Sequence, residues 1–282
     1  MKLSSLHLEA FFELAKQKNF SLAAKSIFLS QPAFSHRIRA LEDTLETTLV
    51  IRNSKQVELT DAGVKLFQYC KDQKQLEDDF VNHFFETTND GGLKGHIRLG
   101  GFSSVTRPLA LQILKGLFKE NPYLNLHLVT KEMNELIDLL KSSHVDFVLY
   151  DKIPPGENFE YQLLGFEENV LVEANLGTKD VYLDHDENDR TTLRYFEHFK
   201  MTAPHKRIYL DDVYGILDGV KLGFGRAILP KHLLRGQKLK IRYPKQVLKT
   251  PVYLVYHKSV YRSHLHQRII EEFKKSSSKF IA

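Results

Sequence analysis

The sequence holds a single cysteine, Cys70, among 282 residues, which excludes an intramolecular disulfide and any cysteine-rich metal site. No apolar run approaches the roughly 20 residues that a membrane-spanning helix needs. Residues 1–30 alternate charged and apolar groups at helical spacing, unlike a signal peptide. There is no phosphate-cradling glycine loop with lysine, no nucleophile elbow and no dinucleotide fingerprint. The 13 histidines are scattered. The densest group of metal-ligand types, Asp184 to Asp189, lacks calcium-loop spacing or the i, i+4 pairing of a zinc helix, and reads as an exposed polar loop. These absences lead to the expectation of a cytoplasmic chain that is not an enzyme, with no catalytic residues, no cofactor, no metal and no membrane partner.

What is present is an ordinary globular composition, 42% hydrophobic and 27% charged, with a formal net charge of +5. The charge is unevenly placed. Residues 1–75 carry 11 Lys+Arg against 8 Asp+Glu, whereas residues 226–282 carry 14 against 2. A basic C-terminal third reads as a solvated surface, with an anionic ligand or partner as the sharper option. Overall charge therefore locates no nucleic-acid site, and local pattern has to do so.

The first sixty residues supply that pattern. Leu6, Ala10, Phe11, Leu14 and Ala15 recur near a 3.6 period and predict an amphipathic helix. Ser21 is the expected N-cap of a second helix through Ala23, Ala24 and Ile27, and Ser30 that of a third from Gln31 to about Thr44, with Pro32 in its first turn. Ala33, Phe34, Ile38, Leu41 and Leu45 are assigned to its packed side. Gln31, Ser35, His36 and Arg39 fall on the other side, with Pro32 at its leading end. Gln can pair with adenine, Ser can serve any base, and Arg suits guanine or phosphate, so this face fits the major groove of double-stranded DNA. Two short β-like runs, Leu49–Arg52 and Val57–Leu59, flank a polar turn and predict a wing whose Arg52 and Lys55 meet phosphate. Thr60 then caps a long helix with apolar residues Leu66, Phe67, Tyr69, Cys70, Leu76, Phe80 and Phe84. So much apolar surface calls for a partner, and a second copy of the chain is the simplest. Cys70 is read as a packing residue.

The stretches Phe20-Ser21-Leu22-Ala23-Ala24, Ser30-Gln31-Pro32-Ala33-Phe34-Ser35-His36-Arg37-Ile38-Arg39, Leu49 to Arg52 and Leu59-Thr60-Asp61-Ala62-Gly63 resemble the LysR-type transcriptional regulators, with order and spacing kept over residues 3–65. The resemblance implies that Gln31 to Arg39 enter the major groove and that Arg52 contacts the backbone. It also implies dimers through the long helix and tetramers of two such dimers, and it brings in RNA polymerase as a further partner. Two positions depart from the family pattern: Glu46 replaces the usual glycine after the recognition helix, and His36 the usual arginine.

Beyond a Gly-rich joint at residues 91–95, strand-like and helix-like stretches alternate, with strands expected at 96–100, 124–130, 145–150, 227–230 and 250–256. Helices are expected at 108–120, 134–142, 212–222 and 265–275, and the whole indicates a parallel α/β sheet. The fold class is therefore α/β with an N-terminal all-α winged helix-turn-helix. By resemblance, the C-terminal region is a two-subdomain effector domain similar to type 2 periplasmic binding proteins. The expected boundaries are 1–60 for DNA binding and 61–93 for the linker helix and hinge. The effector domain takes 94–282, with subdomain I at about 94–165 and 257–282 and subdomain II at about 166–256, trimmed between Ala174 and Thr202. Ligands of open α/β sheets gather beyond the strands' carboxyl ends. This selects Ser103, Ser104, Thr130, Lys131, Tyr150 and Asp151, and the family's cleft-facing turn adds Phe224 and Gly225. Hydroxyls and Lys131 suit a small anionic effector. Two other readings stay open: a regulator of the same fold without ligand control, and a small-molecule binding protein with no genetic role.

Overall fold

The computed structural model describes residues 3–52, 57–85, 92–174, 180–202, 204–259, 261–279 and 281. The chain forms two compact units, one comprising residues 1–91 with 141–143 and 259–264, the other the remainder.

The first unit begins with α1 (Ser5–Gln17), α2 (Phe20–Ser26) and α3 (Gln31–Leu45). The N-cap of α2 is Asn19 rather than Ser21. Its side chain accepts hydrogen bonds from the backbone N–H groups of Ser21 and Leu22, two donors that a helix start leaves unpaired. Ser30 caps α3 as expected, accepting from Ala33 N–H, and Pro32 sits in the first turn. The three helices share a core of Ala10, Phe11, Leu14, Ala23, Ala24, Phe34, Ile38 and Leu41. Two assignments shift by phase: Leu8 rather than Leu6 is buried in α1, and Ala33 is exposed on α3.

Strands β1 (Val50–Arg52) and β2 (Val57–Leu59) pair antiparallel as the stem of the wing. The Glu42 carboxylate, near the end of α3, accepts from the N–H groups of Leu49 (2.7 Å) and Val50 (3.3 Å), tying wing to helix. Thr60 caps α4 (Asp61–Phe85) through Gly63 N–H. A side chain at Gly63 would place its Cβ 2.2 Å from the Leu49 carbonyl oxygen, so only glycine permits this approach of helix to wing. Leu66, Phe67 and Cys70 bury against α1, while Tyr69, Leu76, Phe80 and Val81 are exposed.

The second unit opens with β3 (Gly95–Gly101), followed by the short helix α5 (Ser103–Val105), a π-helical turn at Thr106–Ala110 and α6 (Leu111–Glu120). The helix expected from Pro108 thus starts earlier. The wider turn surrounds a proline that has no N–H to offer an ordinary helical bond. Next come β4 (Leu124–Thr130), α7 (Met133–Lys141), β5 (Phe147–Tyr150), β6 (Phe159–Glu173), β7 (Tyr182–Asp184), α8 (Thr191–His198), β8 (Arg207–Tyr209), α9 (Val213–Lys221) and β9 (Ala227–Pro230). The chain ends with β10 (Lys240–Ile241), β11 (Leu248–His257) and α10 (His264–Ser276).

The main sheet runs β10-β6-β11-β5-β3-β4, with β9 also on β6. It is mixed rather than purely parallel: β3 pairs parallel with β4 and β5, but β11 and β6 run against each other over ten positions. A register shift between Val252 and Tyr253 interrupts that ladder. On one side of the shift, Ile97, Leu99, Ile113, Leu254, Ile269 and Phe273 form the largest core, with α7 on the opposite sheet face. On the other side, Val170 and Val172 pack with α9 and Leu171 with α8, the alternation a strand requires.

The basic C-terminal third finds its partners on β6. Lys231 and Lys249 pair with Glu168, and Arg226 and Arg242 with Glu173. Two carboxylates of β6 thereby answer four of the 14 cations of that segment.

Glu46, in the position of the family's glycine, adopts a left-handed backbone (φ 51°, ψ 36°) at the end of α3. Left-handed geometry costs an ordinary residue about 1 kcal/mol relative to glycine. Glu46→Gly is expected to stabilise the first unit by about that amount, read as a higher urea midpoint at unchanged slope.

Candidate functional site

The outer face of α3 is presented by packing on the opposite side. Phe34, Ile38 and Leu41 are fully buried, which leaves Gln31, Pro32, His36 and Arg39 exposed and Ser35 half-buried. The Gln31 side chain already meets Ser21, whose hydroxyl lies 3.3 Å from Gln31 Oε1, so the leading ends of α2 and α3 share one polar edge. The turn between them places Phe28 at φ 59°. Arg52 closes β1 opposite Val57, but its side chain and Lys55 lie outside the described residues.

In the second unit, a cavity of about 530 Å³ opens around the middle of β6. Of the residues selected from sequence, Ser103, Ser104 and Asp151 line it. Thr130, Lys131, Tyr150, Phe224 and Gly225 do not. Lys131 is exposed and pairs with Glu135 at 3.1 Å. Tyr150 ends β5 with its side chain buried among Leu136, Leu140 and Val255, and alternation then turns Asp151 to the cavity. Gly225 is packed so closely that a Cβ would lie 2.5 Å from the Val181 carbonyl oxygen, while Phe224 is largely exposed. Their turn shapes the neighbouring strands instead of meeting the cavity.

The floor of the cavity comes from residues that sequence did not single out. Glu167 and Asn169 of β6 are both buried and face it, together with Thr250 of β11. Ser104 Oγ donates to Glu167 Oε1 at 2.9 Å, and His232 Nε2 lies 2.8 Å from the Ser104 carbonyl oxygen and 3.6 Å from Glu167 Oε1. Burial pushes the Glu167 carboxyl up to about 7. The Ser104 hydrogen bond opposes this and the nearby Asp151 adds to it. Burial also holds the His232 imidazole below its usual value.

The segment Asp184 to Asp189, expected as an exposed loop, forms one wall. Asp184 is almost fully buried and accepts from Arg207 Nε and Thr192 Oγ1. Asp189 accepts from the N–H groups of His185 (3.1 Å) and Thr191 (2.8 Å), folding the loop on itself. Across the cavity Glu132 Oε1 lies 3.3 Å from His185 Nε2, while His185 Nδ1 is 3.9 Å from Asp186. The imidazole thus approaches the two carboxylates through opposite ring nitrogens, with one donor atom of each of the three residues within 4.8 Å of the others. Burial raises the Glu132 carboxyl, and His185 opposes the shift.

A winged helix-turn-helix followed by an α/β unit with a central cavity defines a class of ligand-linked, DNA-facing proteins. The profile for bacterial regulatory helix-turn-helix proteins of the lysR family matches residues 6–64, and the LysR substrate binding domain matches residues 90–278. The chain belongs to the LysR family, a family of regulators rather than enzymes. It is 31% identical over 172 residues to the RuBisCO operon transcriptional regulator of Allochromatium vinosum, a match covering 61% of this chain and 55% of that relative's length. Its fold is similar to the crystal structure of ArgP from Mycobacterium tuberculosis, at TM-score 0.82, 17% identity and 99% coverage of both chains. It is also similar to full-length LysG from Corynebacterium glutamicum, solved with its effector Arg bound, at TM-score 0.80, 15% identity and 99% coverage of both. Among the described residues no helix is long and apolar enough to cross a membrane.

Because the raised Glu167 carboxyl binds its proton more tightly in the folded than in the unfolded chain, its protonation stabilises the fold. That contribution is complete below pH 4.5 and is lost as pH rises through about 7. Glu167→Gln is expected to remove a loss of about 3 kcal/mol between pH 4.5 and 8, measured as the difference between the two proteins' urea stabilities across that range.

Proposed function

We propose that this protein is a sequence-specific DNA-binding transcriptional regulator whose activity is modulated by a small molecule in the cavity of its second unit. The observation that carries the reading is the face of α3. Gln31, Pro32, His36 and Arg39 stand exposed on a helix fixed by a rigid three-helix core, within the stretch that matches the lysR helix-turn-helix. On this reading Gln31, Ser35, His36 and Arg39 meet base edges, and Arg52 and Lys55 of the wing meet phosphate.

The exposed apolar residues Tyr69, Leu76 and Phe80 recur at intervals of seven and four along α4, which supports pairing with a second copy. Such a dimer presents two recognition helices to a two-fold-related site, and two dimers form the tetramer that the family suggests. The effector acts by binding one arrangement of the assembly better than another. An open cavity of about 530 Å³, within the range of small-ligand sites, favours ligand control over a regulator without it.

The lining bears on the expected anionic effector. Lys152, Arg190 and Arg194 line the cavity and are exposed, whereas Glu167 and Asp184 are buried and Glu132, Asp151, Asp186 and Asp189 add further carboxylates. The lining supports a small polar effector and gives an anion contacts only at the rim.

The test is selection of the organism's own genomic fragments by the purified protein at two salt concentrations. Enrichment of one dyad-like site that survives the higher salt supports the reading, and binding without a preferred site overturns it. Arg39→Ala and His36→Ala are each expected to weaken that site about 5- to 150-fold while leaving thermal stability unchanged. Arg52→Ala is expected to weaken all sequences alike and to lower the salt slope by about 1. For assembly, Leu76→Lys is expected to shift the protein to lower-order species in sedimentation, with helix content retained.

A further inference from the structure

We propose that the effector carries a cationic nitrogen, an ammonium or guanidinium group, seated between Glu167 and Asp151 at the floor of the cavity. The proposal rests on the reading of that cavity as the effector site.

The argument is an inventory of donors and acceptors. Glu167 is 4% exposed, and its Oε1 is held by the Ser104 hydroxyl. Its other oxygen has no partner among the described residues. The Oδ1 atom of Asp151 is buried and also without a partner. Asn169, 5% exposed, directs its amide N–H groups to Thr250 Oγ1 and the Glu167 carbonyl, which leaves its own carbonyl oxygen as an acceptor. The floor is therefore rich in acceptors, and the nearby Asp151 adds to the burial that pushes the Glu167 carboxyl up. Burying the Glu167 carboxyl with one hydroxyl for a partner is costly, and a buried unpaired acceptor such as Asp151 Oδ1 calls for an unseen partner.

Among the described residues, the protein's own cations do not fill this role. Lys231 and Lys249 answer Glu168 on the opposite side of β6. Lys152 lies over the Tyr150 ring at 5.6 Å, and Arg190 pairs with Glu197 at 3.0 Å. Arg107 stacks on Tyr214 at 4.1 Å, and Arg207 is committed to Asp184. Arg194 is exposed on α8 at the rim. An ammonium group brings three donors and a guanidinium five, with no acceptor of its own. Either chemistry satisfies Glu167, Asp151 and Asn169 together, whereas a carboxylate placed there would meet two carboxylates.

The test is isothermal titration of the full-length protein with agmatine, putrescine and L-lysine as cationic probes, and with succinate and glutarate as carboxylate probes. The expected result is saturable binding of at least one cationic probe, weakened tenfold or more by Glu167→Gln and by Asp151→Asn. Circular dichroism of each variant checks that the fold is kept. Three results overturn the proposal: no cationic probe binds at millimolar concentration; binding is unchanged in both variants; or only carboxylate probes bind, with Glu167→Gln leaving them equal or tighter. The last result would leave the cavity as an effector site for anions, so failure of the charge assignment is distinguishable from failure of the effector reading. Selection of genomic DNA by the unliganded protein reports separately on the regulator itself.

Discussion

The second unit depends on the pairing of β6 with β11. Ten rungs of antiparallel ladder carry the chain from one hydrophobic core to the other, and helices α6, α7 and α10 gather at one end while α8 and α9 gather at the other. Because a strand exposes successive residues on opposite faces, β6 must serve two environments at once. Glu167 and Asn169 look into the cavity, while Glu168 answers lysines on the other side. A register slip of one residue would exchange these roles and place the wrong carboxylate in the cavity. The ladder therefore specifies the chemistry of the site as well as the path of the chain.

The electrostatics of this strand follow one rule. Glu168 and Glu173, the β6 carboxylates that meet the C-terminal basic segment, are matched by Lys or Arg. The one that faces the cavity is held only by a hydroxyl, with an imidazole nearby. Ser104 stands in this light as a support for Glu167: its hydroxyl and its carbonyl are both engaged, one by the glutamate and the other by His232.

The helix-turn-helix was legible in sequence because its determinants are local. Caps, a helix-start proline and a 3.6 period all lie within a few residues of what they control, and errors were ones of phase. Asn19 and Ser21 are both good caps two residues apart, and only the bonds from Ser21 and Leu22 N–H to Asn19 decide between them. Leu6 and Leu8 are equally apolar, and the packing of α1 on its neighbours buries the second. The cavity was far less legible. Strand β6 reads Phe-Glu-Tyr-Gln-Leu-Leu-Gly-Phe-Glu-Glu-Asn-Val-Leu-Val-Glu, too polar to suggest a buried central strand. A glutamate in sequence is assigned to the surface by default, since few are ever buried. Asp184 to Asp189 read as a loop because Arg207, which neutralises Asp184, lies 23 residues away. Strand ends located Ser103, Ser104 and Asp151, but they also selected Lys131 and Tyr150, whose direction is set by α7 and the sheet core.

Cys70 packs between α4 and α1, and its burial pushes the thiol up to about 12. At neutral pH almost none of it is thiolate, the form that alkylating and oxidising reagents attack. The DNA-facing unit is thus chemically silent toward oxidants while it stays closed. As the chain's sole thiol, it also acts as a built-in clock: with reagent concentrated enough for labelling to outpace reclosing, the labelling rate is the rate at which α4 lifts from the helices it covers.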